Sequence, residues 1–248
     1  MKLRAISRLA LTTLAFFGVV LPTYALDGNE ILKKVDANLQ PESFESYRKL
    51  INLEPGGAKR EFLLYTLKKG NDKIVSLFMS PAGEKGRATL RVGDNMWLYI
   101  PSVGKPVRIT SLQSVVGGVF NNADIMRLDY NVEYNVKNVE PNPKEYILVL
   151  KAKSTTVAYD QVKMWVHKKS LVPSKIECYA ATGLLIKTLH LKENKPFDEG
   201  KVRPSVFETE SPLYQGYQSI MVYAKVQKRI VSDEVFTLEF LDKVDTIR

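Results

Sequence analysis

From Phe44 onward apolar and polar positions alternate with period two, and turn residues interrupt the alternation at intervals of about ten, which predicts an antiparallel sheet. Strands are expected at 44–53, 59–67, 73–80, 87–92, 96–100, 107–109, 130–139, 145–152, 161–167, 172–180, 184–191, 202–208, 218–231 and 235–244. Pro55-Gly56-Gly57, Gly70-Asn71-Asp72, Pro81-Ala82-Gly83, Pro141-Asn142-Pro143 and Ala181-Thr182-Gly183 supply turns between them. In 161–167, Val162, Met164 and Val166 point one way, opposite Gln161, Lys163, Trp165 and His167, so one face is wet. The same reading puts Ile220, Val222, Ala224 and Val226 on one side of the penultimate strand, and Phe236, Leu238 and Phe240 on one side of the last.

Two segments depart from that period. Asp27 is placed to cap a helix with Glu30 three residues on, and Ile31, Leu32, Val35 and Leu39 recur at helical spacing over 29–39 until Pro41. In 111–128, Leu112, Val115, Val116, Val119 and Phe120 are helically spaced around Gly117-Gly118, whose freedom lets the segment move. A sheet of about 11 or more strands is too large to stay flat, so it is expected to curl into an open antiparallel half-barrel with its apolar face inside. The fold class is therefore mainly β with a few helices, closed by the N-terminal helix and the 111–128 plug.

The densest apolar stretch is Gly93 to Ile109. Gly93-Asp94-Asn95 makes a turn, Met96–Ile100 is an apolar run, and Pro101 with Gly104 breaks it before Val107-Arg108-Ile109 resumes, a β-hairpin. Apolar side chains on both faces of this strand must meet a core or an apolar visitor.

Ahead of the sheet, Lys2, Arg4 and Arg8 precede an uncharged apolar run from Leu9 to Leu21, and Thr23-Tyr24-Ala25 ends in small residues. This reads as a secretory leader (1–25) cleaved after Ala25, too short for a comfortable membrane span, followed by one domain over 26–248. Cleavage removes three of the 36 basic side chains and none of the 27 acidic ones, leaving a mildly basic chain with no cationic run longer than two. That distribution argues against nucleic acid as a partner and leaves transient contact with an anionic membrane open. Cys178 is the one cysteine, so neither an intramolecular disulfide nor an acylated N-terminal cysteine is available, and it is given no role.

Candidate chemistry is thin. His167 and His190 have no third ligand at metal spacing, and no G-x-S-x-G, H-E-x-x-H, P-loop or G-x-G-x-x-G occurs. Asp124 and Asp129 are the best acidic pair, suited to a cation or to acid–base work, although helix capping accounts for Asp124 as well. No catalytic residue, cofactor or metal is assigned.

The leader, the opening helix LDGNEILKKVDANL, G-D-x-M-W-x-Y-x-P at 93–101 followed by Val107-Arg108-Ile109, Asn121-Asn122-Ala123-Asp124-Ile125 and the late Phe236-Thr237-Leu238-Glu239-Phe240-Leu241 together resemble the outer-membrane lipoprotein-sorting proteins of the LolA/LolB-like superfamily. The resemblance implies a half-barrel closed by helices, around a hydrophobic cavity that takes up acyl chains in the periplasm. It assigns that family's lid arginine to no residue, Arg108 belonging to the broader pattern. It further implies a monomeric periplasmic carrier moving a lipid or lipoprotein toward the outer membrane, with an inner- or outer-membrane transport partner. The alternative is a lipid-responsive sensor or adaptor of the same fold that regulates a membrane protein. Lipid contact is expected at Met79, Met96, Trp97, Leu98, Tyr99, Ile100, Leu112, Val115, Val119, Phe120, Met164, Val166 and Leu189, with Trp97 and Tyr99 at the mouth.

Overall fold

A computed structural model describes residues 27–197 and 200–248; the leader expected at 1–25 lies outside them. Helix α1 (Gly28–Leu39) is followed by β1 (Phe44–Leu53), β2 (Lys59–Lys69), β3 (Lys73–Ser80), β4 (Ala88–Val92), β5 (Asn95–Tyr99) and β6 (Val107–Ile109). A connecting segment holds two short helices, α2 (Asn122–Ile125) and α3 (Tyr130–Glu133). The chain continues through β7 (Tyr134–Glu140), β8 (Glu145–Ala152), β9 (Gln161–His167), β10 (Pro173–Tyr179), β11 (Leu185–Pro196), β12 (Val202–Glu210) and β13 (Gln218–Lys228).

The 13 strands among the described residues form one sheet in the order β6-β5-β4-β3-β2-β1-β13-β12-β11-β10-β9-β8-β7. Each neighbouring pair is antiparallel, and the first and last strands, β1 and β13, join two meanders at the centre. The free edges are β6 and β7, and the chain between them is the plug. Topology thus sends 110–133 across the open side of the curved sheet, which is why this stretch fills the interior.

Alternation sorts the side chains onto two faces. The inner core gathers Ile31, Leu32, Val35 and Leu39 of α1, Val115, Phe120, Ile125, Met126 and Leu128 of the plug, and strand residues from Leu50 and Phe78 to Leu148, Met164, Ile176 and Met221. An outer core covers the back of β2–β5, where Tyr65, Leu67, Val75, Leu77, Ala88 and Leu90 meet Val231, Val235, Phe236, Leu241 and Val244.

Most strands fall where the period-two pattern put them, and the 93–109 hairpin forms with Met96 opposite Ile109 and Trp97 opposite Arg108. Gly93 takes φ +55° at the tight β4–β5 turn, a conformation that glycine adopts without strain. Four expectations are corrected. The 235–244 segment is not a strand but a series of 3₁₀ turns, Asp233–Phe236, Leu238–Phe240 and Val244–Ile247, because β13 already pairs with β1 and β12 and offers no edge. The start of 130–139 is helical, since the Asp36 carboxylate accepts the N–H groups of Tyr130 and Asn131, both at 2.8 Å. The inward residues of β13 are Ser219, Met221 and Tyr223, not Ile220 and Val222, and a bulge opposite Tyr47 and Arg48 turns Val226 to the inner side. Asp27 occupies the N-cap of α1 without a side-chain capping bond, its carbonyl accepting the Ile31 N–H instead.

Candidate functional site

The inner face of the sheet and the plug define the site. The plug is not the long helix that its apolar spacing suggested; it turns back on itself through a bridge between Ser114 and Asn121 before the single-turn α2. A capping box at Asn121 and Asp124 starts that turn. Gly118 lies so close to β1 that an added Cβ would stand 2.2 Å from Asn52 Oδ1, so its glycine serves close approach as well as freedom. Asn52 in turn accepts a bond from Ser219 Oγ at 2.7 Å, and Val119 N–H donates to the same hydroxyl at 2.8 Å.

Among the described residues the interior is closely packed. The cavity among Arg48, Phe120, Asp124, Tyr130, Leu189 and Tyr223 measures about 20 Å³, room for about one water and none for a hydrocarbon tail. Strand residues and the plug's Phe120, Asp124, Arg127 and Tyr130 share its walls.

Against that apolar filling stands a set of buried charges. Arg48 donates to Ile125 O at 3.0 Å, to Ser76 Oγ at 3.3 Å and to Thr66 Oγ1, and its guanidinium lies 5.8 Å from the Tyr223 ring centre. Lys68 pairs with Asp129 at 2.9 Å, and Lys187 pairs with Asp124 at 2.6 Å while donating to Val119 O at 2.7 Å. Arg91 reaches Glu133 and donates to Met126 O at 3.1 Å. Every one of these bonds to the segment 119–133 joins a strand cation to a plug acceptor. Tyr159 donates to Asp124 at 2.9 Å, and burial together with that carboxylate raises its phenol well above the ordinary value. Burial also raises Asp36, against the pull of its bonds from Asn131. Asp124 and Asp129, weighed from sequence as a catalytic or cation-binding pair, are each tied to a different lysine, and no grouping of His, Cys, Asp and Glu suited to a metal ion occurs among the described residues.

The expected contact residues divide between the two cores. Val115, Phe120, Met164, Val166 and Leu189 meet in the inner core, Val119 is buried beside Ser219, and Met96 and Leu98 face inward by alternation. Met79, Trp97 and Tyr99 instead pack on the outer core with the C-terminal turns, because they sit at the opposite parity of β3 and β5. They do not share a wall with Met164, and Trp97 and Tyr99 do not form its mouth. Ile100 lies just beyond β5, half-buried, and Leu112 is 56% exposed. Sequence reasoning missed Arg48, Lys68, Arg91 and Lys187; a cation at an inward parity of a strand was the available signal.

At one end of the sheet, a groove of about 310 Å³ separates the plug from the loops after β10 and β12. Leu112, Leu184, Leu213 and Tyr214, all about half exposed, rim it, and Lys187 is part of its lining.

A family model whose description reads "-like: Uncharacterized protein" matches residues 70–243, and the chain belongs to that family. Its architecture is LolA-like. A LolA superfamily protein of Nitrosomonas europaea superposes with a TM-score of 0.79 at 29% identity, covering 87% of this chain and 100% of that one. An outer membrane lipoprotein-sorting protein domain of Vibrio parahaemolyticus gives 0.71 at 20% identity over 87% and 98%. A DUF1329 family protein of Desulfovibrio piger gives 0.74 at 21% over 86% and 97%. No match was found among curated proteins.

Proposed function

We propose that this protein is an exported, non-catalytic carrier that binds the acyl chains of a lipid or lipoprotein inside the half-barrel and moves them through the periplasm toward the outer membrane. The observation that carries this reading is the plug: its apolar side chains complete the inner core, yet it is a connection between free edge strands and shares no ladder with the sheet. The likeness to lipoprotein-sorting structures supports the same reading. Each methylene hidden from water is worth about 0.8 kcal/mol, so a chain of ~14 resists exposure by roughly 11 kcal/mol and needs a closely matched apolar host. Exchange of the plug's contacts for acyl contacts provides that match at small net cost. Arg48, bonded to the Ile125 carbonyl, is a latch on the closed state. The wall proposed from sequence is retained for its inward strand members, Met96, Leu98, Met164, Val166 and Leu189, which the plug's Val115, Val119 and Phe120 cover in the closed state.

A reversible lock tests the exchange. Asn52 Cγ lies 2.5 Å from the position of a Cβ on Gly118, close enough for a cysteine pair N52C/G118C to bridge sheet and plug. The oxidised variant is expected to lose saturable uptake of a fluorescent fatty acyl probe, and reduction is expected to restore it. Uptake unchanged by the lock would overturn the reading. The exposed rim of Leu112, Leu184, Leu213 and Tyr214 favours, as a second reading, an adaptor that docks on a membrane protein. A carrier transfers labelled lipid between liposomes; an adaptor forms a saturable complex with its receptor domain and transfers little.

A further inference from the structure

Buried charge on the inner face of the strands is of one sign, while the plug carries Arg127 as well as its acids. Among the described residues, the buried inward positions of the strands carry Arg48, Lys68, Arg91, Lys187 and Arg203 and no carboxylate, since Glu45, the buried acid of the strands, faces the outer core with Tyr65. The acids that pair with three of these cations all come from the plug: Asp129 with Lys68, Glu133 with Arg91 and Asp124 with Lys187. Lys68, Ile74 and Arg91 are in register across β2, β3 and β4, which sets Lys68 and Arg91 about 10 Å apart on one inner row. The adjoining row is Ser46, Thr66, Ser76 and Thr89, over which Arg48 extends. Arg48 Nε and Ser46 Oγ are buried there with no hydrogen-bond partner among the described residues.

Withdrawal of the plug therefore does more than uncover an apolar wall. It takes Asp124, Asp129 and Glu133 away from Lys187, Lys68 and Arg91, and it takes the Ile125 carbonyl from Arg48. A neutral tail would refill the apolar volume and leave these cations without counter-charge in a low-dielectric site, which is strongly unfavourable. A tail that ends in an anion restores both.

Resting on the reading of the lumen as a lipid site, we infer that the cargo is an anionic amphiphile, whose carboxylate or phosphate head replaces the plug's carboxylates on Lys68 and Arg91, with Arg48 over the adjoining row. The plug acts as an internal competitor, and selection among lipids follows from charge as well as from chain.

Fluorescence titration of the full chain with cis-parinaric acid and with its methyl ester isolates the head from the tail. The acid is expected to bind at least tenfold more tightly. D124N/D129N, which removes two of the competitor's three carboxylates and leaves the strands untouched, is expected to bind the acid more tightly still and to show a larger rise in Tm with acid than wild type shows. K68M/R91M is expected to erase the preference while keeping ester binding, and K68R/R91K to retain it if the methionine variant does not fold. Displacement of the acid by dioleoyl phosphatidic acid but not by dioleoyl phosphatidylcholine extends the site to phosphate heads; displacement by neither confines it to carboxylates, as the same proposal allows. Equal binding of acid and ester overturns the anion preference and leaves the lipid-binding reading standing. Binding of neither probe overturns the lipid-binding reading itself. Displacement of the acid by inorganic phosphate alone, at concentrations that match its own affinity, identifies a free anion as the ligand and overturns the amphiphile.

Discussion

At the scale of single residues, the buried ion pairs between sheet and plug control both stability and opening. Lys187 and Asp124 are both nearly inaccessible, so K187M strands a carboxylate and should cost about 3–5 kcal/mol, whereas K187M/D124N should recover much of that loss. Urea denaturation of the two single variants and the double measures the coupling. Glu45 sits in a different setting, on the outer face, where it accepts from Tyr65 at 2.9 Å and meets Arg229 and Lys225. Burial alone would raise its pKa, but the bonds from Arg229 and Tyr65 and the nearby positive charges outweigh that and hold it below the ordinary 4.5. A depressed carboxylate contributes stability above its unfolded pKa and loses it as pH falls through the folded one. The denaturation midpoint should therefore drop below about pH 4.5, and E45Q should flatten that part of the profile. None of these partnerships was legible in the sequence. Lys187 and Asp124 are 63 positions apart, and a lone lysine in a period-two strand reads as a solvated side chain until the parity of the strand and the path of the plug are both known.

Elements show why pattern succeeds in one place and fails in another. Strands that bury one face must alternate, and β1, β3, β6, β8 and β9 have the bounds that their alternation gives. The C-terminal stretch has apolar residues at strand-like spacing, yet β13 before it is paired on both sides, so it coils and lays Val235, Phe236, Leu241 and Val244 over the back of β2–β5. Phe236 is 5% exposed, and F236A should cost about 3–5 kcal/mol by denaturant titration while leaving acyl-probe affinity unchanged, because the outer core is separate from the lumen. Equal loss of probe binding would show that the two cores are not independent. The plug gives the complementary test. In G118A the new methyl meets Asn52, and overpacking there should cost about 1–3 kcal/mol while weakening closure, read as faster probe uptake in stopped flow.

For the whole molecule, opening is the motion that matters, and Cys178 reports it. The thiol is buried in the inner core, and burial with the neighbouring Asp124 charge raises its pKa far above that of a free thiol. A small maleimide should label it slowly in the closed protein and several-fold faster in D124N, where Lys187 loses its counter-charge. Equal rates would mean that the pair does not hold the plug.

The sequence by itself determined the sheet, the opening helix, the approximate place of most strands and the mobile-looking segment, because alternation and turn chemistry are local properties carried by neighbouring residues. Tertiary structure decided which face each strand turns inward, where Met79, Trp97 and Tyr99 go, and which buried cation meets which plug acceptor. Those outcomes depend on curvature, on the pairing of β1 with β13, and on the one chain path left open between β6 and β7. A long-range ion pair has no periodicity to betray it, since its energy comes from a shared low-dielectric site that exists only once the sheet has closed around the plug.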